Sequence, residues 1–182
     1  MATENNSNKF KTIDLAFIAI FGALWVVLNL SLGPLSFQLL GLPILHDFGV
    51  FFTLILVAWI TGRFGTSIMV AFIGSAIGIL LGAPPLILGF AVSAIIFDLF
   101  LILNHHKVRL SFKDLAILIL ATLLTAYVAG VIIGTFFMMN SVQWALTFWG
   151  GWHLIGGVLA VVITLPIVAV LEKANIKKLV NK

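Results

Sequence analysis

Residues Leu86 to Phe137 read LILGFAVSAIIFDLFLILNHHKVRLSFKDLAILILATLLTAYVAGVIIGTFF: a continuously apolar run, a short basic connection, then a second apolar run. Each run is close to the roughly 20 apolar residues that a helix needs to cross a hydrocarbon core of about 30 Å. Neither run alternates in hydrophobicity as a membrane β-strand would. In lipid, a run of this kind satisfies its own backbone only as a helix. The stretch therefore reads as two membrane-crossing helices joined on their basic side.

The rest of the chain follows the same rule. Of its 182 residues, 62% are hydrophobic and only 9% charged, against about 25% charged in a soluble domain. Apolar segments at 13–30, 47–61, 67–81, 86–103, 115–137 and 152–171 predict an all-α polytopic membrane protein with six transmembrane helices. Residues 1–12 are polar and lead into an apolar segment without a small-residue cleavage site, so they read as a cytoplasmic tail and not as a signal peptide. Residues 172–182 read as a basic cytoplasmic tail. With the amino terminus inside, all ten basic residues fall on one side: Lys9, Lys11, Arg63, Lys107, Arg109, Lys113, Lys173, Lys177, Lys178 and Lys182. That separation is the positive-inside pattern. It predicts both termini in the cytoplasm and a multi-pass protein of the cell membrane, whether cytoplasmic or inner. Topology alone then accounts for the net charge of +4, and no clustered basic face points to nucleic acid. The absence of cysteine excludes disulfides, thiolate metal sites and cysteine nucleophiles.

The connections alternate in character. Ser31 to His46 reads as a long uncharged external loop and Met138 to Gly151 as a second one, while Gly62 to Thr66 and Gly82 to Pro85 read as tight turns. At about 1.5 Å per residue, Asp47 to Thr61 reaches only about 22 Å, so a cavity open to the outside is expected above it. Helix contacts in lipid depend on small residues that let backbones approach. Gly74, Gly78 and Gly82, Gly89 and Ser93, and Gly130 and Gly134 are placed for such packing. Ala16, Ala19, Gly22 and Ala23 form a small-residue face near the inner surface, which either packs within the chain or receives a partner helix. Pro166 is expected to kink the last helix.

Polar groups within membrane segments are costly, which makes each a functional candidate. Toward the outside they are Asn29, Gln38, His46, Asp47, Asn140, Gln143 and His153, with Tyr127 about halfway along the fifth segment. The stretch QWALTFWGGWH, Gln143 to His153, adds Trp144, Trp149 and Trp152, which suit either anchoring at the headgroup layer or stacking on a flat ligand ring. Asp47 reads most simply as a first-turn acid. With His46 and His153 it also has the ligand types for a divalent metal, but no spacing pattern supports one. Asp98 has three readings: snorkelling inward, pairing with a basic residue such as Arg63, or exchanging a proton. His105 and His106 read as solvated beside Lys107 and Arg109. No catalytic motif and no phosphate loop followed by Lys is present, so no enzyme and no cofactor is expected. Active transport would draw its energy from a partner or an ion gradient.

The pattern resembles the S-components of energy-coupling factor (ECF) transporters, the substrate-capturing membrane subunits of vitamin uptake systems. Size, six segments, inside termini and a long first external loop match. AIFGA, Ala19 to Ala23, is similar to the family's AxxxA motif on its first helix. LGAPPLILGF and the glycine-rich last segment resemble it more weakly. The resemblance implies a subunit that binds a vitamin or precursor from outside, with a transmembrane T-component and two ABC ATPases as partners and the lipid bilayer around it. It implies that Ala19 and Ala23 face the T-component, that Ser31 to His46 is a lid, and that the site lies among the outer ends of helices four to six. The expected ligand is a neutral or cationic, partly aromatic small molecule, such as a thiamine precursor, since no external Lys or Arg awaits a phosphate ester. It would stack on Trp144, Trp149 or Trp152, with hydrogen bonds from Asn29, Gln38, His46, Tyr127, Asn140, Gln143 or His153. The nickel and cobalt branch begins Met-His, which Met1, Ala2 and Thr3 do not match. Three alternatives remain: a self-sufficient permease or channel using Asp98, a divalent-metal S-component, and a structural subunit that binds only protein.

Overall fold

The structure is a computed structural model that describes residues 10–177. The amino-terminal tail through Lys9, including Met1, Ala2 and Thr3, and the end of the basic tail from Lys178 to Lys182 lie outside the described residues.

Six helical elements make up the described chain, and no strand occurs among the described residues. They are α1 (Thr12–Leu40), α2 (Ile44–Thr61), α3 (Thr66–Leu80), α4 (Pro85–Asn104), α5 (Phe112–Phe137) and α6 (Val142–Lys173). All but α3 are long and apolar enough to cross a membrane; α3, at 15 residues, is a shorter apolar helix. The ends of α4 tighten into 3-10 turns, α5 finishes in a wide π turn over Ile133–Phe137, and α6 has a similar turn at Ala145–Trp149.

Two expected loops are helical. α1 does not stop at Leu30: it continues through Ser31, Gly33 and Pro34 to Leu40, where Gly41 ends it in the left-handed region at φ 66° and donates its N–H to the Phe37 carbonyl. Continuing the helix satisfies the backbone of the apolar LSFQLL stretch within the element itself. Ser36 then closes the α1–α2 turn, its hydroxyl donating to the Leu42 carbonyl and accepting the Leu45 N–H. Ser31 to His46 is therefore two helix ends and a three-residue turn, not a loop lid. Likewise α6 begins at Val142, capped by the Ser141 hydroxyl, so the aromatic stretch expected in a loop lies on helix. α6 also runs through Pro166 without ending.

The helices pack as a closed ring, α1 on α3, α3 on α4, α4 on α5, α5 on α6, α6 on α2 and α2 on α1, with α2 drawn inward to touch α3, α4 and α5 as well. α2 is 72% buried over its apolar window, far more than the 28% of α1. Glycines set the close crossings. Gly74 of α3 lies against the Trp25 ring of α1, Gly89 of α4 against Ile133 of α5, and Gly157 of α6 against Ala126 of α5. Ala16, Ala19 and Ala23 of α1 are exposed, whereas Gly22 beside them is buried. The alanine face is thus left open by the described residues.

The charged groups gather at one end of the bundle. Arg63, in the α2–α3 turn, pairs with Asp14 of α1 at 2.9 Å. Asp98 of α4 is buried and accepts the N–H of Gly65 at 2.7 Å and that of Ile68. It caps the amino-terminal end of α3 from a neighbouring helix, meeting donors that α3 cannot satisfy itself. Arg63 pairs with Asp14, while Asp98 serves the α3 backbone through Oδ2 and lies 3.7 Å from His106 Nδ1 through Oδ1.

Candidate functional site

At the end opposite the charged groups, α2 begins with two buried polar residues, His46 and Asp47, on its first turn. Consecutive residues of a helix point about 100° apart, so the two side chains diverge and meet different partners. His46 Nε2–H donates to the Asn29 Oδ1 of α1, and the Asn29 amide donates to the Trp25 carbonyl at 2.8 Å, which fixes the amide's orientation. Asp47 Oδ1 shares a hydrogen bond with His153 Nδ1 of α6 at 2.8 Å. α6 can come this near because position 156 is glycine: a Cβ there would fall on Asp47 Cβ. Gly130 of α5 similarly leaves room for the His153 ring.

Phe90 of α4 stands between the two histidines, with ring centroids 4.9 Å from His46 and 5.6 Å from His153. Trp149 meets His153 edge-on at 5.5 Å and stacks on Trp144 at 5.3 Å and on Phe37 at 6.3 Å. Two adjoining cavities open around this group. One, about 200 Å³, is lined by Asn29, Gly33, Pro34, His46 and the α3–α4 turn; the other, about 170 Å³, by Phe90, Ile133, Met138, Trp149 and His153. Phe37, His46 and Leu86 line both. Trp149 Nε1 and His153 Nε2 are buried without a hydrogen-bond partner. The arrangement offers apolar walls, flat aromatic faces and a few placed polar atoms, the usual make-up of a small-molecule pocket.

Of the residues singled out from sequence, Asn29, His46, Trp149 and His153 line these cavities. Trp144 stands behind Trp149. Tyr127 does not face a cavity; its hydroxyl donates to the Leu146 carbonyl at 2.9 Å and holds the π turn of α6. Trp152 packs edge-on against Phe148. Gln38, Asn140 and Gln143 are exposed and line neither cavity. His46, Asp47 and His153 do not form a metal cluster: among the described residues no group of three His, Asp or Glu side chains is placed to hold an ion.

Sequence reasoning missed Phe37, Leu86 and Phe90. The signal was helical spacing. Asn29, Gly33 and Phe37 lie four apart along one stripe of α1, as do Leu86 and Phe90 on α4 and Trp149 and His153 on α6. Compared with known protein families, curated proteins and solved structures, the chain matches none of them.

Proposed function

We propose that this chain is the membrane-embedded substrate-capture subunit of an ECF-type importer. It binds a vitamin or vitamin precursor in the joined cavities at the outer end of the bundle, and a T-component with two ABC ATPases supplies the energy for release inward. In this reading the chain crosses the membrane six times, α3 included, with both termini in the cytoplasm and the charged end inside. The observation that carries the proposal is the pair of buried hydrogen-bonded couples, Asn29 with His46 and Asp47 with His153, set on either side of Phe90 between two cavities. Packing alone asks for no such group, because imidazole, carboxylate and amide are all expensive within a span. A binding site does ask for it: polar atoms held in place by helix neighbours, with aromatic faces beside them and open volume between.

The volume and lining also narrow the ligand. Cavities of about 200 and 170 Å³ suit one or two small rings. Among the described residues no Lys or Arg lines either cavity, and a carboxylate stands behind one wall. A neutral or singly cationic ring fits this setting, and a multiply anionic phosphate ester does not.

The test is a thermal melt of detergent-purified protein with vitamins and precursors supplied singly. A ligand at about 100 times its Kd stabilises the native state by about 2.7 kcal/mol, and one compound is expected to shift the melt clearly. Phe37→Ala, at a residue lining both cavities yet 40% exposed, is expected to abolish that shift while changing the unliganded stability by less than about 1 kcal/mol. The proposal is sunk if no compound shifts the melt and the purified chain moves ions or protons in liposomes unaided.

A further inference from the structure

A third opening lies at the charged end, away from the site described above. It is a groove of about 300 Å³ between the last turn of α2 (Trp59 to Gly62), the α4–α5 connection (His106 to Arg109) and Lys177 beyond α6. Its polar lining is cationic: Lys107, Arg109 and Lys177, with His106 beside them. Two carboxylates stand near, and Asp98 Oδ1 lies 3.7 Å from His106 Nδ1. Glu172 Oε1 lies 3.6 Å from Lys177 Nζ and also accepts the Trp59 Nε1–H at 3.0 Å. Lys177 is further fixed by donating to the Val108 carbonyl at 3.2 Å and by lying 4.7 Å above the Trp59 ring. Lys107 and Arg109 have no acidic partner among the described residues.

These cations repel one another. Burial lowers the Lys177 ammonium below its usual pKa; Glu172 raises it again, and the neighbouring Arg109 charge pushes it down. His106 is likewise lowered by burial and by His105. A fold that holds like charges together at the rim of one groove, with Lys107 and Arg109 paired to no carboxylate among the described residues, is complementary to an anion.

The surroundings identify the kind of anion. The α4–α5 connection is flanked by exposed apolar side chains: Ile102, Leu103, Leu110 and Phe112, the last 90% exposed. Helices that cross a bilayer end at the headgroup layer, so these side chains have the acyl region beside them and the cations have the phosphates. We propose that the groove seats the headgroup of an anionic phospholipid, its phosphate on Lys107 and Arg109 and its acyl chains along Leu103 and Phe112. Arg109 has the planar fork that binds phosphate oxygens in pairs.

The experiment places the full chain in nanodiscs of phosphatidylcholine, with and without phosphatidylglycerol, and reads the melt and the lipid retained in native mass spectrometry. Phosphatidylglycerol is expected to raise the melt and to be retained one molecule per chain. Each basic residue near a membrane surface contributes about 1 kcal/mol toward anionic lipid, so Lys107→Gln with Arg109→Gln is expected to weaken retention roughly thirtyfold. Both residues are exposed, and the double variant is expected to keep the wild-type melt in phosphatidylcholine. Should it not, Arg109→Gln alone is read instead, with an expected loss of roughly fivefold. Equal retention in wild type and variant overturns the proposal, as does the absence of any response to phosphatidylglycerol. An equal melt shift from inorganic phosphate or glycerol phosphate in phosphatidylcholine discs also overturns it, since the groove would then bind free phosphate and not lipid.

Discussion

Gly156 shows how a single missing side chain positions a functional group. The Asp47 side chain occupies the space a Cβ at 156 would need, and the Ile44 carbonyl is 2.9 Å from that point. Both obstacles belong to the first turn of α2, one of them backbone, so neither can turn aside. Gly156→Ala must push α6 away from α2 and stretch the Asp47–His153 hydrogen bond. Overpacking of this kind costs about 1 to 3 kcal/mol, and leaving a buried polar group unsatisfied adds a further about 1 to 3 kcal/mol. Gly151 is the control, since a Cβ there meets nothing within 4 Å. The expected outcome is a melting temperature lowered in Gly156→Ala and unchanged or raised in Gly151→Ala, where helical alanine replaces glycine in open space. Equal melts for the two variants would show that α2 and α6 are not held this closely.

At the scale of the element, the decisive one is the carboxy-terminal third of α1. Read as a chain of residues, Ser31 to Leu40 contains Gly33 and Pro34 and looks broken. In the structure it is helix, and it carries Phe37 onto the stripe begun by Asn29 and Gly33. Pro34 removes one backbone donor and so leaves the Leu30 carbonyl without its usual intrahelical partner. The helix nevertheless continues, since lipid or protein surroundings leave the other backbone groups no alternative. Hydrogen exchange in detergent checks this: amides of Phe37 to Leu40 are expected to exchange slowly, as helix amides do, with protection ending at Gly41. Exchange at the rate of an unstructured loop across that segment would restore the loop reading. The same elements mark what was legible in the sequence. The six apolar segments were, because continuous hydrophobicity and basic connections need no knowledge of neighbours. The ends beside the cavities were not: Gly33, Pro34, Gly150 and Gly151 act locally as breakers, and only packing shows otherwise, as where the Tyr127 ring fills the space beside Gly150. His46, Asp47 and His153 stood out individually, yet a contact between residues 106 positions apart is set by how α2 and α6 cross. Phe37, Leu86 and Phe90 were hidden among many equivalent apolar residues.

At the scale of the whole molecule, the ring of helices separates three surfaces. The cavities and paired histidines lie at one end, the charged side chains at the other, and the exposed alanine face of α1 runs along the side. That face borders a groove of about 360 Å³ lined by Ala19, Gly22, Ala23, Val26 and Val27 of α1 with Ile73 and Ile77 of α3. Within the proposed function it is where the T-component docks, since small residues let a second helix approach closely. Such a surface contributes nothing to holding the ligand, and the cavities contribute nothing to docking, so the two activities should separate by mutation. Ala19→Leu with Ala23→Leu adds bulk at two exposed positions, where the added atoms meet lipid and not the chain's own core. The variant is expected to keep its melting temperature and its ligand-induced shift, while losing most ATP-driven uptake when reconstituted with T-component and ATPases. Loss of both activities together would place the alanines in the folding of this chain. Full retention of uptake would move the docking surface elsewhere on the ring.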